Sequence, residues 1–194
     1  MIQSQNKSLK NLALMKYMIL PFFLAVMFAF PISSFAQGSL ADLDAKNGFR
    51  NVKLGAFRSS FQDLISTDAD PNEKSDWKNY ERRSDDKTLG DIPLDYISYK
   101  FYKDYLIQIS LQSKGHFKEL FETITQAYGE HSEIKKNIYN NFEYISYYWK
   151  GTNVTIRLLK GPEYINLEFG TNTDTDYFDK IDNQIKMQKR LNGL

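Results

Sequence analysis

Apolar and polar residues alternate with period two in five stretches of the chain. Ile97, Tyr99 and Phe101 alternate with Tyr96, Ser98 and Lys100, and after Lys103-Asp104-Tyr105 the residues Ile107, Ile109 and Leu111 alternate with Gln108, Ser110 and Gln112. This pattern predicts a β-hairpin with one buried face. Pairing 101 with 107, 99 with 109 and 97 with 111 gathers the large apolar side chains on that face. A slip of one residue would set Gln108 and Ser110 against Tyr99 and Ile97, so the pattern itself selects the register. A second hairpin joins Ile145, Tyr147 and Trp149 to Val154, Ile156 and Leu158 across the turn Lys150-Gly-Thr-Asn153. After Gly161-Pro162 a third strand adds Ile165, Leu167 and Phe169 to the same face.

The helical period predicts the other elements. Phe117, Leu120, Phe121, Ile124 and Tyr128 follow the spacing of one helix face between Gly115 and Gly129, the latter an expected C′ residue. Phe57, Phe61, Leu64 and Ile65, with Ser59/Gln62 and Ser60/Asp63 as capping pairs, predict a short helix. Tyr177, Phe178, Ile181 and Ile185 predict a C-terminal helix over 174–191, capped by Thr173 or Asp174. Asp174, Asp176 and Asp179 lie near its start and Lys186, Lys189 and Arg190 near its end, as the helix dipole favours. Residues 66–76 read as a polar loop, 37–48 as a leader, and Phe49–Leu54 as a short strand ended by Gly55.

The resulting order is α-β-β-α-β-β-β-α. Short links between neighbouring strands predict an α+β fold, with an antiparallel sheet of about five to six strands and helices on one face. Asp95-Tyr-Ile-Ser-Tyr-Lys-Phe101 and Glu143-Tyr-Ile-Ser-Tyr-Tyr-Trp149 echo each other. Two readings of the echo stay open: a tandem helix-plus-hairpin duplication over 57–112 and 115–170, or two strands that share common β-residues.

The first 36 residues differ in kind. They carry Lys7, Lys10 and Lys16 and no acid, then an apolar run from Tyr17 to Ile32, then Ser34-Phe35-Ala36. A basic start, an apolar run and a small-x-small site predict a signal peptide cleaved before Gln37, rather than a retained anchor. Met15-Lys16 is a second well-formed start. The expected product is exported, periplasmic or extracellular, with a single domain over 49–194. Export alters the charge. The whole chain has 25 basic and 24 acidic residues, and residues 37–194 retain 22 and 24, a net −2. That balance argues against a nucleic-acid partner. With no cysteine in the chain, neither disulfides nor thiolate chemistry are available.

Asn47-Gly48-Phe49-Arg50-x-Val52-Lys53-Leu54-Gly55, then Ser60-Phe61, a helix ending Tyr128-Gly129, and Tyr148-Trp149-x-Gly151 with alternating strands form a longer pattern. It resembles small exported α+β domains of bacterial envelope proteins, the β-lactamase-inhibitor-like and SmpA/OmlA-like group. The resemblance covers most of 47–170 and implies protein binding or envelope assembly. It carries over no site, because no functional motif of that group is matched residue by residue.

Catalytic and metal patterns are sparse. His116 and His131 flank one helix, about 22 Å apart along its axis at 1.5 Å per residue, and read as lone surface histidines. Asp68-Ala-Asp70-Pro-Asn72 begins like a calcium loop but has Glu73 and Asn79 where Gly and Glu are required. No metal or other cofactor is expected. Without a nucleophile elbow or phosphate loop, an enzyme remains only as a hydrolase with two unplaced carboxylates. The distinctive surface is the outward sheet face: Tyr96, Ser98, Lys100, Gln108, Ser110, Gln112, Tyr144, Ser146, Tyr148, Thr155, Arg157, Tyr164, Asn166 and Glu168. Tyrosines among small polar residues suit recognition. Tyr96, Lys100, Tyr144, Tyr148, Arg157 and Tyr164 are the candidate ligand-binding residues, for an envelope protein or a glycan. A third expectation is an envelope assembly or stability factor without a small ligand.

Overall fold

A computed structural model describes residues 38–70, 74–172 and 175–192. Residues 1–37, which include the expected signal segment, and residues 71–73, 173–174 and 193–194 lie outside this description. The fold is α+β, and its centre is an antiparallel sheet.

The sheet has eight strands rather than five to six, in the spatial order β3-β4-β7-β8-β12-β11-β10-β9. These are β3 (Leu64–Ser66), β4 (Trp77–Arg82), β7 (Tyr96–Tyr102), β8 (Tyr105–Ser113), β9 (Glu133–Tyr139), β10 (Phe142–Lys150), β11 (Val154–Lys160) and β12 (Ile165–Thr171). Two small hairpins, β1 (Gly48–Phe49) with β2 (Val52–Lys53) and β5 (Thr88–Leu89) with β6 (Ile92–Pro93), lie outside it. Among the described residues three helices complete the fold: α1 (Leu40–Lys46), α2 (Phe117–Tyr128) and α3 (Thr175–Asn192).

The period-two pattern selects the strand faces as expected. Ile97, Tyr99, Phe101, Ile109, Leu111, Trp149, Val154, Ile156, Leu158, Ile165, Leu167 and Phe169 are all buried in one core with Leu120, Ile124 and Tyr128 of α2. In the first hairpin Ile97 pairs with Leu111 and Tyr99 with Ile109, but Phe101 faces Leu106 and not Ile107. The turn is only Lys103-Asp104, both at positive φ (45° and 71°), and one extra residue on β8 is absorbed as a bulge. In the second hairpin Tyr147 faces Leu158 and Trp149 faces Ile156, and β12 continues the face with Leu167 and Phe169.

Other expectations change. The helix over Phe57–Ile65 is absent: a single 3-10 turn at Arg58–Ser60 leads into β3. Phe57 and Phe61 are drawn apart by tertiary contacts. Phe57 packs edge-on against Tyr105, while Phe61 packs on Tyr99 and Phe101. The leader over 37–48 contains α1, whose Leu43 is fully buried. The polar loop 66–76 ends in the unanticipated β4, and β9 follows α2 before β10. Nor do the helices share one face. α1 and α2 contribute to the core, whereas Phe178 of α3 packs against Trp77 and Tyr102, outward residues at one end of the sheet. Among the described residues no helix is long and apolar enough to cross a membrane.

Candidate functional site

The outward face carries a shallow groove of about 540 Å³ at the end of the central strands. Gln112 of β8, Asn166 of β12, Leu159 of β11 and Tyr144 of β10 line it, with Tyr164 and Pro162 from the β11–β12 turn. Tyr139 and Phe142 close the far side. These two residues flank the Asn140-Asn141 turn, whose φ values of 49° and 65° give the twist a two-residue hairpin needs. Both stay open to solvent, Tyr139 at 68% and Phe142 at 53% exposure, so the groove presents bare aromatic surface.

Gly161 makes room for one wall. A Cβ there would lie 3.2 Å from the Tyr144 ring and 3.1 Å from the Tyr164 carbonyl, tight enough that the ring or the turn would have to shift by a few tenths of an ångström. The floor is polar. Gln112 Nε2 donates to Asn166 Oδ1 at 3.2 Å, which fixes both amides and leaves further donor and acceptor positions on the pair. Glu163 is the one ionisable acid of the lining, so the groove combines aromatic walls, neutral amides and little charge.

The six candidate residues separate here. Tyr144 and Tyr164 line the groove, with Lys114 Nζ lying 5.3 Å from the Tyr164 ring centre. Tyr96 pairs with Gln112 and so sits one strand away. The other three are engaged elsewhere. Lys100 lies over Trp77 at 4.8 Å, and the Tyr148 ring is flanked by Lys135 at 5.4 Å and Lys150 at 5.6 Å. Arg157 lies between Ser146 and Glu168, 3.3 Å from each. Ser146, expected to be outward and open, is buried. Tyr139, Phe142 and Leu159 were outside the candidate set. The signal for the first two was an Asn-Asn pair flanked by aromatics, a hairpin pattern.

A second cleft of about 890 Å³ lies between α3, the Phe57-Arg58 turn and β4. Its three acids each pair with a lining cation. Arg58 pairs with Asp104, and Lys103 reaches Asp182 at 2.9 Å and Asp76 at 3.6 Å. The hydrogen bond from Lys103 holds the Asp182 carboxyl below its ordinary range, so it stays ionised near neutrality.

The histidines stand apart. His116 Nδ1 is 3.7 Å from Glu119, whereas His131 is half-buried, its ring packing against Phe121, Tyr147 and Trp149 and lying 3.9 Å from Glu130. Asp68 is used structurally, accepting from the Asn79 backbone N–H at 3.2 Å and from Asn79 Nδ2 at 2.9 Å. Among the described residues no group of three metal-ligating side chains converges. Comparison with known protein families, curated proteins and solved structures finds no match for this chain.

Proposed function

We propose that the protein is an exported, non-catalytic binding domain that takes a neutral glycan of the cell envelope in the outer-face groove. One observation carries this reading: the rings of Tyr139, Phe142, Tyr144 and Tyr164 surround the fixed Gln112–Asn166 amide pair in a groove almost free of charge. A sugar ring offers C–H faces that stack on aromatics and hydroxyls that both donate and accept. An amide pair with donors and acceptors left over matches the hydroxyls, and the rings match the C–H faces. A groove of this volume holds a ligand of one or two rings. Export rests on the basic, apolar and small-x-small pattern of residues 1–36. The resemblance to exported envelope domains supports the same compartment.

Calorimetric titration with short neutral oligosaccharides tests the binding. Tyr144→Ala and Tyr164→Ala are expected to weaken it by about 1–2 kcal/mol each, roughly ten-fold in Kd. Equal affinity in both variants overturns the glycan site. N-terminal sequencing of the protein recovered outside the cytoplasm tests export, and a chain starting at Met1 or Met15 overturns cleavage.

A further inference from the structure

We infer that the protein forms a two-fold dimer in which the β9 strands of two copies pair antiparallel, with Lys136 on the axis. The two edges of the sheet are unequal. One edge, β3, has three residues, and Leu64 and Ser66 are half-buried. The other edge, β9, has seven residues and ends the strand order. It presents Ile138 at 78% and Ile134 at 47% exposure. A long edge with open backbone groups and bare β-branched side chains is a template for a further strand.

The register follows from the hairpin. In a two-residue turn the flanking pair, Tyr139 and Phe142, exchanges backbone hydrogen bonds. Alternation then directs the backbone groups of 135, 137 and 139 toward β10 and those of 134, 136 and 138 away from it. A second β9 centred on Lys136 therefore meets these outward groups in phase. It also sets Ile134 against the partner's Ile138, and Ile138 against the partner's Ile134. Centring the axis on Lys135 or Asn137 instead sets Lys136 against an isoleucine.

Lysine on an edge commonly blocks such pairing. Here both lysines have acidic neighbours: Lys136 lies 3.8 Å from Glu143, and Lys135 lies 3.3 Å from Glu133, which Lys150 also contacts. Two copies bring two Lys136 and two Glu143 together at the axis, a neutral quartet. Directly paired residues share a face, so both outer faces lie on one side of the joined sheet. That would make glycan binding bivalent, a consequence that rests on the proposed function; the dimer itself does not.

The absence of cysteine makes the test clean, since a single introduced thiol can crosslink only to its own copy. Hydrogen-bonded partners have Cα atoms about 5.5 Å apart, within disulfide reach. Under mild oxidation the protein carrying Lys136→Cys is expected to run at about twice its single-chain mass without reductant. Ile65→Cys, on the opposite edge, is expected to remain single. Crosslinking of Lys136→Cys no faster than that of Ile65→Cys overturns the register. In sedimentation the unaltered protein is expected to be dimeric and Ile138→Lys monomeric. Residue 138 is exposed, so that variant keeps its fold. A monomeric unaltered protein, or an Ile138→Lys variant that stays dimeric, overturns the interface.

Discussion

The Asp44 carboxylate accepts hydrogen bonds from the backbone N–H groups of Thr152, Asn153 and Val154, at 2.6, 2.8 and 3.1 Å. A seven-residue helix near the start of the described chain is thereby tied to the β10–β11 turn more than a hundred residues later. The turn comes very close: a Cβ on Gly151 would lie 2.6 Å from Asp44 Oδ1.

Two substitutions test this tie. Asp44→Ala is expected to cost about 1–2 kcal/mol, as loss of a capping side chain does. That is roughly 2–8 °C in Tm for a domain of this size. Gly151→Ala is expected to destabilise the unaltered protein by displacing the carboxylate, and to cost less when Asp44 is already Ala. Thermal melts of the two single variants and the double variant measure the coupling. Strictly additive effects would show that the two residues act independently.

The same contacts set a pH dependence. For Asp44, burial acts to raise the pKa, but the backbone donors at Asn153, Thr152 and Val154 together outweigh it and hold the carboxyl below its ordinary range. Hydrogen bonds lower Asp182 through Lys103, Asp42 through Ser39, Asp63 through Ser84 and Glu133 through Lys150. A carboxyl whose folded pKa lies below its unfolded one stabilises the fold above the unfolded value and loses that contribution as pH falls toward the folded value. Tm is therefore expected to be steady from pH 7 to about 5 and to fall below about pH 4. Asp44→Asn is expected to flatten the acid limb, and a limb of unchanged slope would remove Asp44 from the account.

Tyr99 lies in the core, yet its hydroxyl donates to Asp85 at 2.8 Å, and Asp85 lies 3.6 Å from Arg82. Burial and the neighbouring carboxylate both push the Tyr99 pKa up, so it remains a neutral donor. Tyr99→Phe keeps the ring packing but leaves a carboxylate of 8% side-chain exposure without this donor. The expected loss is about 1–3 kcal/mol in denaturant unfolding. Tyr99→Phe together with Asp85→Ala is expected to cost less than the sum of the two single changes.

Within the outer face, binding should follow position rather than residue type. Tyr148 and Arg157 are held by lysines and by Ser146 and Glu168, away from the groove. Tyr148→Ala and Arg157→Ala are expected to leave glycan affinity within roughly two-fold, against the ten-fold losses at Tyr144 and Tyr164. Equal losses at all four positions would move the site to the whole face.

Much of the architecture is legible in local pattern. β7, β8, β10, β11, β12 and α2 each bury one face against a common core, and burial of one face forces a period on the residues. The elements that escaped lack that constraint. β9 is an edge strand whose inward positions are Ile134, Lys136 and Ile138, and all three remain exposed. β4 turns Lys78, Tyr80 and Arg82 toward the core side, long side chains that mix polar ends with apolar stems. Phe57 and Phe61 have helical spacing, but contacts with Tyr105, Tyr99 and Phe101 outweigh a local preference of a few tenths of a kcal/mol per residue.

By itself, then, the sequence determined the α+β class, the buried face of each central strand and the tyrosines that would lie opposite it, because a two-residue period encodes a face directly. Only the tertiary structure decided which of those tyrosines lie together. Tyr144 and Tyr164 meet Tyr139, Phe142, Gln112 and Asn166 because β8, β12, β11, β10 and β9 lie side by side in an order unlike their order in the chain. Strand order is set by long-range packing and by how the chain returns, and no local period records it. The same holds at the edges: β9 follows α2 in sequence like any other strand, and its open side exists only because the sheet ends there.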